Sequence, residues 1–583
     1  VTAAAESEDN VRPAWRGSWR GGSFVASLPS ALMAAVLIFL VVPPLIMLVI
    51  TSLTPTGAST GLTFANFASL FDDPRLYSST WNSLLFSALS TGLSIVLGAI
   101  LAWIVVRTNA PFQALAYLTA VVSLGTPYLI YVAAWLFLLG RAGPFNEFFQ
   151  LVTGSTDTLF NVYSMWGMVL IQGTLWTPLV FLLLAATFRR SNAEMEEAAR
   201  LCGASVLETI WHVSFKLAWP GIAGMALFVF IRNIESFDVP VLIGGPGKVY
   251  LLTTDIYLSM TRIPPQMGHA SAFSVVLVGI VSVLLYFYGR LTLNADKYAS
   301  VTGKGFRPRL FDLGRWRWLG GAIVFGNFLF VLVLPLVAVL WISLMPFVRP
   351  IRASALKLLT LENYRVVLTD SRYLELAFNT ITAAAAAATV AMALMVLAGW
   401  LIVRRWPGAK VVEQLSNLPI VFPGIVLGVA LLTISLRTPF PLYGTLAVIS
   451  LAFVIRFMPY GMRYAHSGIL QIHRELEEAA GASGASQWVI LRRIVVPLLL
   501  PAIVSGWVFI FLLGANELSM AVLLSGPRTQ VMAVAMFEQW SSGQSVEVFA
   551  LGMVWTLFMA ACTLVVYAFA GRALLGVEEG KAQ

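Results

Sequence analysis

Apolar residues along the 583-residue chain gather into long runs separated by short polar segments. The first run extends from about Ala31 to Ile50, near the ~20 residues that carry a helix across a bilayer. Others begin near Ser83, Phe112, Ser164, Ile222 and Ser271, then near Leu319, Phe378, Val411, Tyr443, Ile503 and Val548. This pattern predicts twelve spans, six in each half, with both termini on one side. Glycines and polar residues interrupt the spans after Pro220 and Pro501. Residues 1–30 are small and polar, with Arg12, Arg16 and Arg20 ahead of the first run. A cleaved signal peptide would have an apolar region of only ~7–15 residues, so a retained first helix is expected.

One polar interruption occurs twice. Glu194–Ser205 contains Glu197-Ala198-Ala199, followed by Gly203 and Pro220; Glu475–Ser486 contains Glu478-Ala479-Ala480, followed by Gly484 and Pro501. Every pair is separated by 281 positions. A polar Ala-rich helix, a Gly-allowed turn and a second helix stopped by Pro form the expected helix-turn-helix. Pro178 and Pro459 keep the same offset, while Asn82, Trp103 and Arg107 precede Asn379, Trp400 and Arg404 by 297. Together these pairs predict two like-oriented copies of a unit of about 280 residues. The expected layout is an N-terminal segment at 1–30, a first domain at 31–292, a basic linker at 293–317, a second domain at 318–572 and a tail at 573–583.

Composition supports a lipid environment: 58% of residues are hydrophobic and 11% charged, with a mean hydropathy of +0.83, against roughly 45–50% apolar residues in soluble domains. The net charge of +9 then reads as loop retention rather than nucleic-acid binding. Of 37 Lys and Arg residues, 24 fall on the side that carries both termini and both Glu-Ala-Ala segments, and 11 fall in the opposite loops. Positive loops stay inside, which places the termini and the repeated motif in the cytoplasm. The loop at 346–377 runs against this trend with five basic residues. Cys202 and Cys562 stand too far apart for a metal or disulfide pattern and read as packing residues.

A repeated cytoplasmic ledge suits a partner that also comes as a pair, because small Ala faces allow close packing and Glu197 and Glu478 can accept charge-assisted hydrogen bonds. At these residues the chain resembles the permease subunits of binding-protein-dependent ABC importers, whose signature is Glu-Ala-Ala followed by Gly and Pro. The resemblance covers nearly the whole chain as two fused domains. It implies an all-α polytopic membrane protein of the bacterial inner membrane, with two tandem type I permease domains, about twelve transmembrane helices and pseudo-twofold symmetry. It also implies that Glu197, Ala198, Ala199 and Gly203, with Glu478, Ala479, Ala480 and Gly484, form coupling helices. These would dock on a separate ATP-binding cassette subunit, present in two copies and carrying ATP and Mg. A soluble solute-binding protein is the other implied partner.

The chain itself offers no nucleotide site. Gly244-Gly245-Pro246-Gly247-Lys248-Val249 comes nearest to a phosphate-binding loop, but Leu242 replaces the first Gly and Val249 lacks the hydroxyl that would hold magnesium. No His-Glu-x-x-His or other catalytic spacing occurs, the four histidines form no ligand pattern, and neither a catalytic residue nor a metal site is expected. Arg232, Glu235, Asp238, Asn516 and Glu517 are the candidates for lining a translocation path, since ionisable residues within spans usually face a water-filled route. Glu235 aligns with Asn516 at the 281 offset. The plainer reading pairs Arg232 with Glu235 or Asp238 to fix packing. Gly244-Gly245-Pro246 and Ser525-Gly526-Pro527 are expected to end helices at the outer surface. Arg456, before Met458-Pro459-Tyr460, has no evident partner in the sequence. Single-chain, doubled permeases resemble the ferric-iron importer group, which makes ferric iron the expected solute, with thiamine or a small phosphonate next. The competing class is a secondary transporter driven by an ion gradient, which is also built from repeats with charges near the midplane.

Overall fold

The computed structural model describes residues 23–55, 61–190, 195, 198–199, 201–295, 310–439, 441–543 and 545–575. Among them the chain is helical and connected by short turns. The helices needed below are α1 (Ser23–Ser52), α2 (Pro74–Arg107), α3 (Tyr128–Leu139), α4 (Met165–Arg190), α5 (Phe215–Ile234), α6 (Leu252–Thr261) and α7 (Met267–Ala295). From the second half come α8 (Ser371–Val403), α9 (Gly424–Arg437), α10 (Leu446–Leu470), α11 (Arg474–Ala482), α12 (Val496–Ala515), α13 (Met532–Ser541) and α14 (Ser545–Leu575). Among the described residues ten helices are long and apolar enough to cross a membrane, and an eleventh if the pair Ala409–Val421 and Gly424–Arg437, bent by 102°, is one span. Two of the expected runs, those beginning near Phe112 and Ile222, contain the shorter apolar helices Gln113–Ser123 and Gly221–Ile234.

The halves use the same local devices. Asp73 caps α2 by accepting the Arg75 amide at 2.9 Å, and Asp370 accepts the Arg372 amide at 2.8 Å at the start of α8. The Asn82 side chain donates to the Tyr250 carbonyl at 3.2 Å, while Asn379 donates to the carbonyls of Arg528 and Gln530, each at 3.1 Å. Ser83 Oγ accepts the Leu252 amide at 2.9 Å and Thr380 Oγ accepts the Met532 amide at 2.7 Å. A helix start that would otherwise leave an orphan N–H is thus satisfied by a hydroxyl from a long helix in both copies.

By their contacts the residues form two compact bodies. Among the described residues the larger comprises those within Pro44–Ala388, Val421–Arg456 and 508–575. In it α2 and α4 cross closely because small residues replace bulky ones. A Cβ on Gly98 would come within 2.5 Å of Val180 Cγ1, and one on Gly173 within 2.6 Å of Leu93 Cδ2. Such small-residue contacts let apolar helices gain packing energy in lipid, where burial from water offers none. Among the described residues the smaller body comprises those from 23 to 43, Thr389–Ile420 and Phe457–Trp507. Its helices approach at Gly468, whose added Cβ would lie 2.4 Å from Leu499 Cδ1, and at Gly506, 2.8 Å from Met392 Sδ.

The prolines expected to stop the second motif helix do not do so. Pro501 lies inside α12, and α5 runs from Phe215 through position 220 to Ile234. A proline removes one N–H but a membrane helix tolerates this where neighbouring backbone adjusts. A π-helical turn precedes each, at Ile210–Ser214 and Leu491–Val495, again 281 residues apart.

Candidate functional site: two motif turns and a buried charge cluster

The second Glu-Ala-Ala segment forms α11, nine residues long. Its C-terminus is closed by Gly484 at φ +86°, with the Ala485 amide donating to the Ala480 carbonyl at 3.0 Å. The first segment repeats this geometry: Gly203 has φ +89° and the Ala204 amide donates to the Ala199 carbonyl at 3.1 Å. A left-handed residue at this point needs Gly, and the reversed bond satisfies a carbonyl the helix leaves open. Each following helix starts at a serine. Ser486 Oγ accepts the Val489 amide at 3.4 Å. Ser205 Oγ accepts the Glu208 amide at 3.3 Å, and the Ser205 amide and hydroxyl both donate to Glu208 Oε2 at 2.8 Å. Those bonds hold the Glu208 carboxyl below its ordinary range.

Ala198 and Ala479 are exposed, and Ala199 and Ala480 are half-buried. Glu478 pairs with Arg474 at 2.9 Å on its own helix and remains 48% exposed. Glu197 lies outside the described residues. Cys202, expected to pack, is exposed beside Gly203. The one buried residue of α11 is Glu477, which sequence reasoning did not single out. Its carboxylate accepts from Arg404 Nε at 2.8 Å, Arg404 Nη2 at 2.5 Å and Trp400 Nε1 at 3.1 Å. The available signal was the Trp400/Arg404 pair, whose i,i+4 spacing puts both donors on one helix face.

A second cluster lies in the larger body, where α5 ends. Glu235 Oε2 accepts from Arg232 Nη1 at 2.6 Å, the plainer of the two expectations for these residues. It also accepts from Arg456 Nη2 at 2.6 Å, and Arg456 Nη1 donates to the Phe422 carbonyl at 2.6 Å. Arg456 therefore does have a partner, and that partner comes from the other half of the chain. The Arg456 and Glu235 side chains are 4% and 3% exposed. The Phe422 carbonyl is open to a donor because the Phe422–Pro423 break precedes α9.

Asp238 is half-buried between Glu235 and the helical turn at Pro240–Gly244. Glu517 Oε1 accepts the Ser519 amide at 3.0 Å and the Ser519 hydroxyl, beside Gly424 at the start of α9. The Asn516 amide oxygen is buried without a hydrogen bond. Phe237, Tyr257 of α6 and Phe537 of α13 form a three-ring contact, with centroids 5.3, 6.4 and 6.0 Å apart. The residues from 235 to 237 thus join first-half elements to second-half ones through an ion pair and a ring contact. Among the described residues no group of three or more His, Cys, Asp or Glu is placed to hold a metal ion.

A doubled all-helical bundle with polar turns repeated at one offset, and with an ion-paired charge cluster buried in its interior, is a polytopic membrane permease. Comparison with known proteins defines it further: the chain belongs to the family described as binding-protein-dependent transport system inner membrane component, which matches at residues 94–294 and again at 391–575. It is similar to the ferric transport system permease protein FbpB of Actinobacillus pleuropneumoniae, 26% identical over 504 residues that cover 83% of this chain and 70% of that protein. It is also similar to the probable ABC transporter permease protein y4fN of Sinorhizobium fredii, 26% identical over 568 residues, covering 93% and 95%. The Fe(3+)-transport system permease protein FbpB 2 of Haemophilus influenzae is 22% identical over 407 residues, covering 68% and 75%. The chain is thus a multi-pass inner-membrane component of binding-protein-dependent transport that carries the family's domain twice.

Proposed function

We propose that the chain supplies two permease domains of an ATP-driven ferric-iron importer, taking iron from a soluble binding protein and passing it to the cytoplasm. Two copies of an ATP-binding cassette subunit, which hold ATP and Mg, dock on the Glu-Ala-Ala segments of the 31–292 and 318–572 domains. Both termini and the 293–317 linker lie on the same cytoplasmic side. The observation that carries this reading is the matched exposure and turn geometry of the two motifs, with Gly203 at φ +89° and Gly484 at φ +86°. Exposed small Ala residues beside an outward Glu form a surface for a basic partner. Arg232, Glu235, Asp238, Asn516 and Glu517 line or gate the path, since buried ionisable groups in a membrane bundle mark such routes.

The test is uptake of radiolabelled ferric iron, presented on the binding protein, by vesicles containing the chain and its ATPase. Changing Glu197 and Glu478 together to Gln lowers uptake at least about tenfold, a typical size for lost coupling, and weakens recovery of the ATPase with the chain. Uptake that persists without ATP and collapses with the ion gradient overturns the reading in favour of a secondary transporter.

A further inference from the structure

We propose that Glu477, held by Arg404 and Trp400, is the residue that positions the second Glu-Ala-Ala helix on the end of the membrane helix α8, so that movement of one is carried to the other. This rests on the ATPase-coupling reading given above and divides the work of that motif between two adjacent glutamates.

Helix α11 has only nine residues, and an isolated helix of that length is marginal in water. Its placement depends on what ties it down. Glu475, Leu476, Glu478 and Ala479 are exposed and Ala480 is half-buried, which leaves Glu477 as its buried attachment. One residue along a helix is a turn of about 100°. Glu477 therefore faces inward while Glu478 faces out, where its carboxylate meets Arg474 of the same helix at 2.9 Å.

The inward contact fixes orientation as well as distance. Arg404 stands one residue beyond the end of α8 and Trp400 one turn before it. Glu477 Oε1 takes both Arg404 bonds, at 2.8 and 2.5 Å, while Oε2 takes the Trp400 indole at 3.1 Å. Arg404 Nη2 also donates to the Ile472 carbonyl at 3.1 Å, pinning the strand of chain that leads into α11. A planar guanidinium binding by two nitrogens resists rotation in a way that a point charge does not. The receiving end is itself wedged. A Cβ on Gly399 would lie 3.3 Å from Ala465 Cβ and from Ile469 Cδ1, so α8 and α10 touch along their backbones one residue before Trp400. A displacement of α11 thus reaches α8 through a short, buried and orientation-specific link.

The experiment uses the full chain in proteoliposomes with the ATPase subunit that copurifies with it and binding protein loaded with radiolabelled ferric iron. Uptake and ATP hydrolysis are measured on the same preparation. E477Q keeps its copurified ATPase within about twofold but lowers iron taken up per ATP hydrolysed by about tenfold. W400F, which removes one donor and retains the ring, lowers that ratio about threefold, the size of one lost hydrogen bond. R404K falls between them. A residue that merely stabilises the fold would reduce the amount of protein in the membrane without changing this ratio.

An unchanged ratio in E477Q overturns the proposal. Should E477Q fail to accumulate, an unchanged ratio in W400F overturns it equally. Loss of the ATPase from E477Q at normal membrane yield also overturns it, because Glu477 would then be a docking contact. By contrast, a wild-type chain that recovers no ATPase and takes up iron without ATP would sink the coupling reading itself.

Discussion

Glu235 carries two arginines on one carboxylate oxygen, and this arrangement predicts an unequal response to removing either side of the bond. Changing Arg456 to Met leaves Glu235 with Arg232, still at 2.6 Å, and deprives the Phe422 carbonyl of its donor. Breaking a buried, hydrogen-bonded ion pair costs ~3–5 kcal/mol when the remaining charge is uncompensated. Compensation by Arg232 places R456M near the lower end, at about 3 kcal/mol. E235Q is worse, because it leaves two guanidiniums facing a neutral amide and Arg456 is only 4% exposed. Its cost is about 5 kcal/mol.

The double variant E235Q/R456M retains a single guanidinium, Arg232, whose side chain is already 21% exposed. It is therefore expected to cost no more than E235Q alone, about 5 kcal/mol, well short of the two single costs combined, with a coupling of about 3 kcal/mol. Denaturant unfolding of the four proteins in mixed micelles, followed by the fluorescence of the 18 tryptophans, gives the cycle. Double-variant stability equal to the sum of the single losses refutes the reasoning, since additivity would mean that the two side chains do not share an energetic contact.

Two further outcomes follow from the repeated local devices. Asn379 makes two carbonyl bonds where Asn82 makes one, so N379A should lose about 1 kcal/mol more than N82A, read as a lower apparent Tm. Glu208 has its folded-state pKa lowered by the Ser205 amide and hydroxyl. The stabilisation of the Ser205 turn is therefore present above the unfolded-state pKa and is lost as pH falls through the folded value. Hydrogen exchange at the Ser205 amide, compared with E208Q, should show protection that disappears toward acid in the unchanged protein and no such change in the variant.

The duplication was legible because it rests on residues whose backbone roles are narrow. Gly203 and Gly484 must supply a left-handed turn, and Asn82 and Asn379 serve equivalent loop carbonyls. The Arg232–Glu235 contact was also within reach, being an i,i+3 pair at the end of α5. Arg456 was not, since its partner lies 221 residues away and only the tertiary fold brings them together. Glu477 was overlooked for a different reason. The signature is counted from Glu478, and nothing local distinguishes two neighbouring glutamates until one of them meets Arg404. The prolines misled because the loss of one helix N–H was weighted as a stop, whereas α12 passes through Pro501.

The places where the two copies agree and differ carry a physical argument about why they are fused. The motif turns, the capping serines and the π-helical turns are kept at the 281 offset. The interior charges are not: at that offset Arg232 corresponds to Leu513, Glu235 to Asn516 and Arg456 to Leu175. Two identical chains would have to bury two copies of every such charge. Each added buried ion pair brings a further desolvation penalty of several kcal/mol per ion, and like carboxylates brought together would raise one another's pKa. A single chain can diverge at these positions while preserving its exposed turns. One Glu then suffices to bind an arginine from each half, and that bond exists only because the halves are no longer the same.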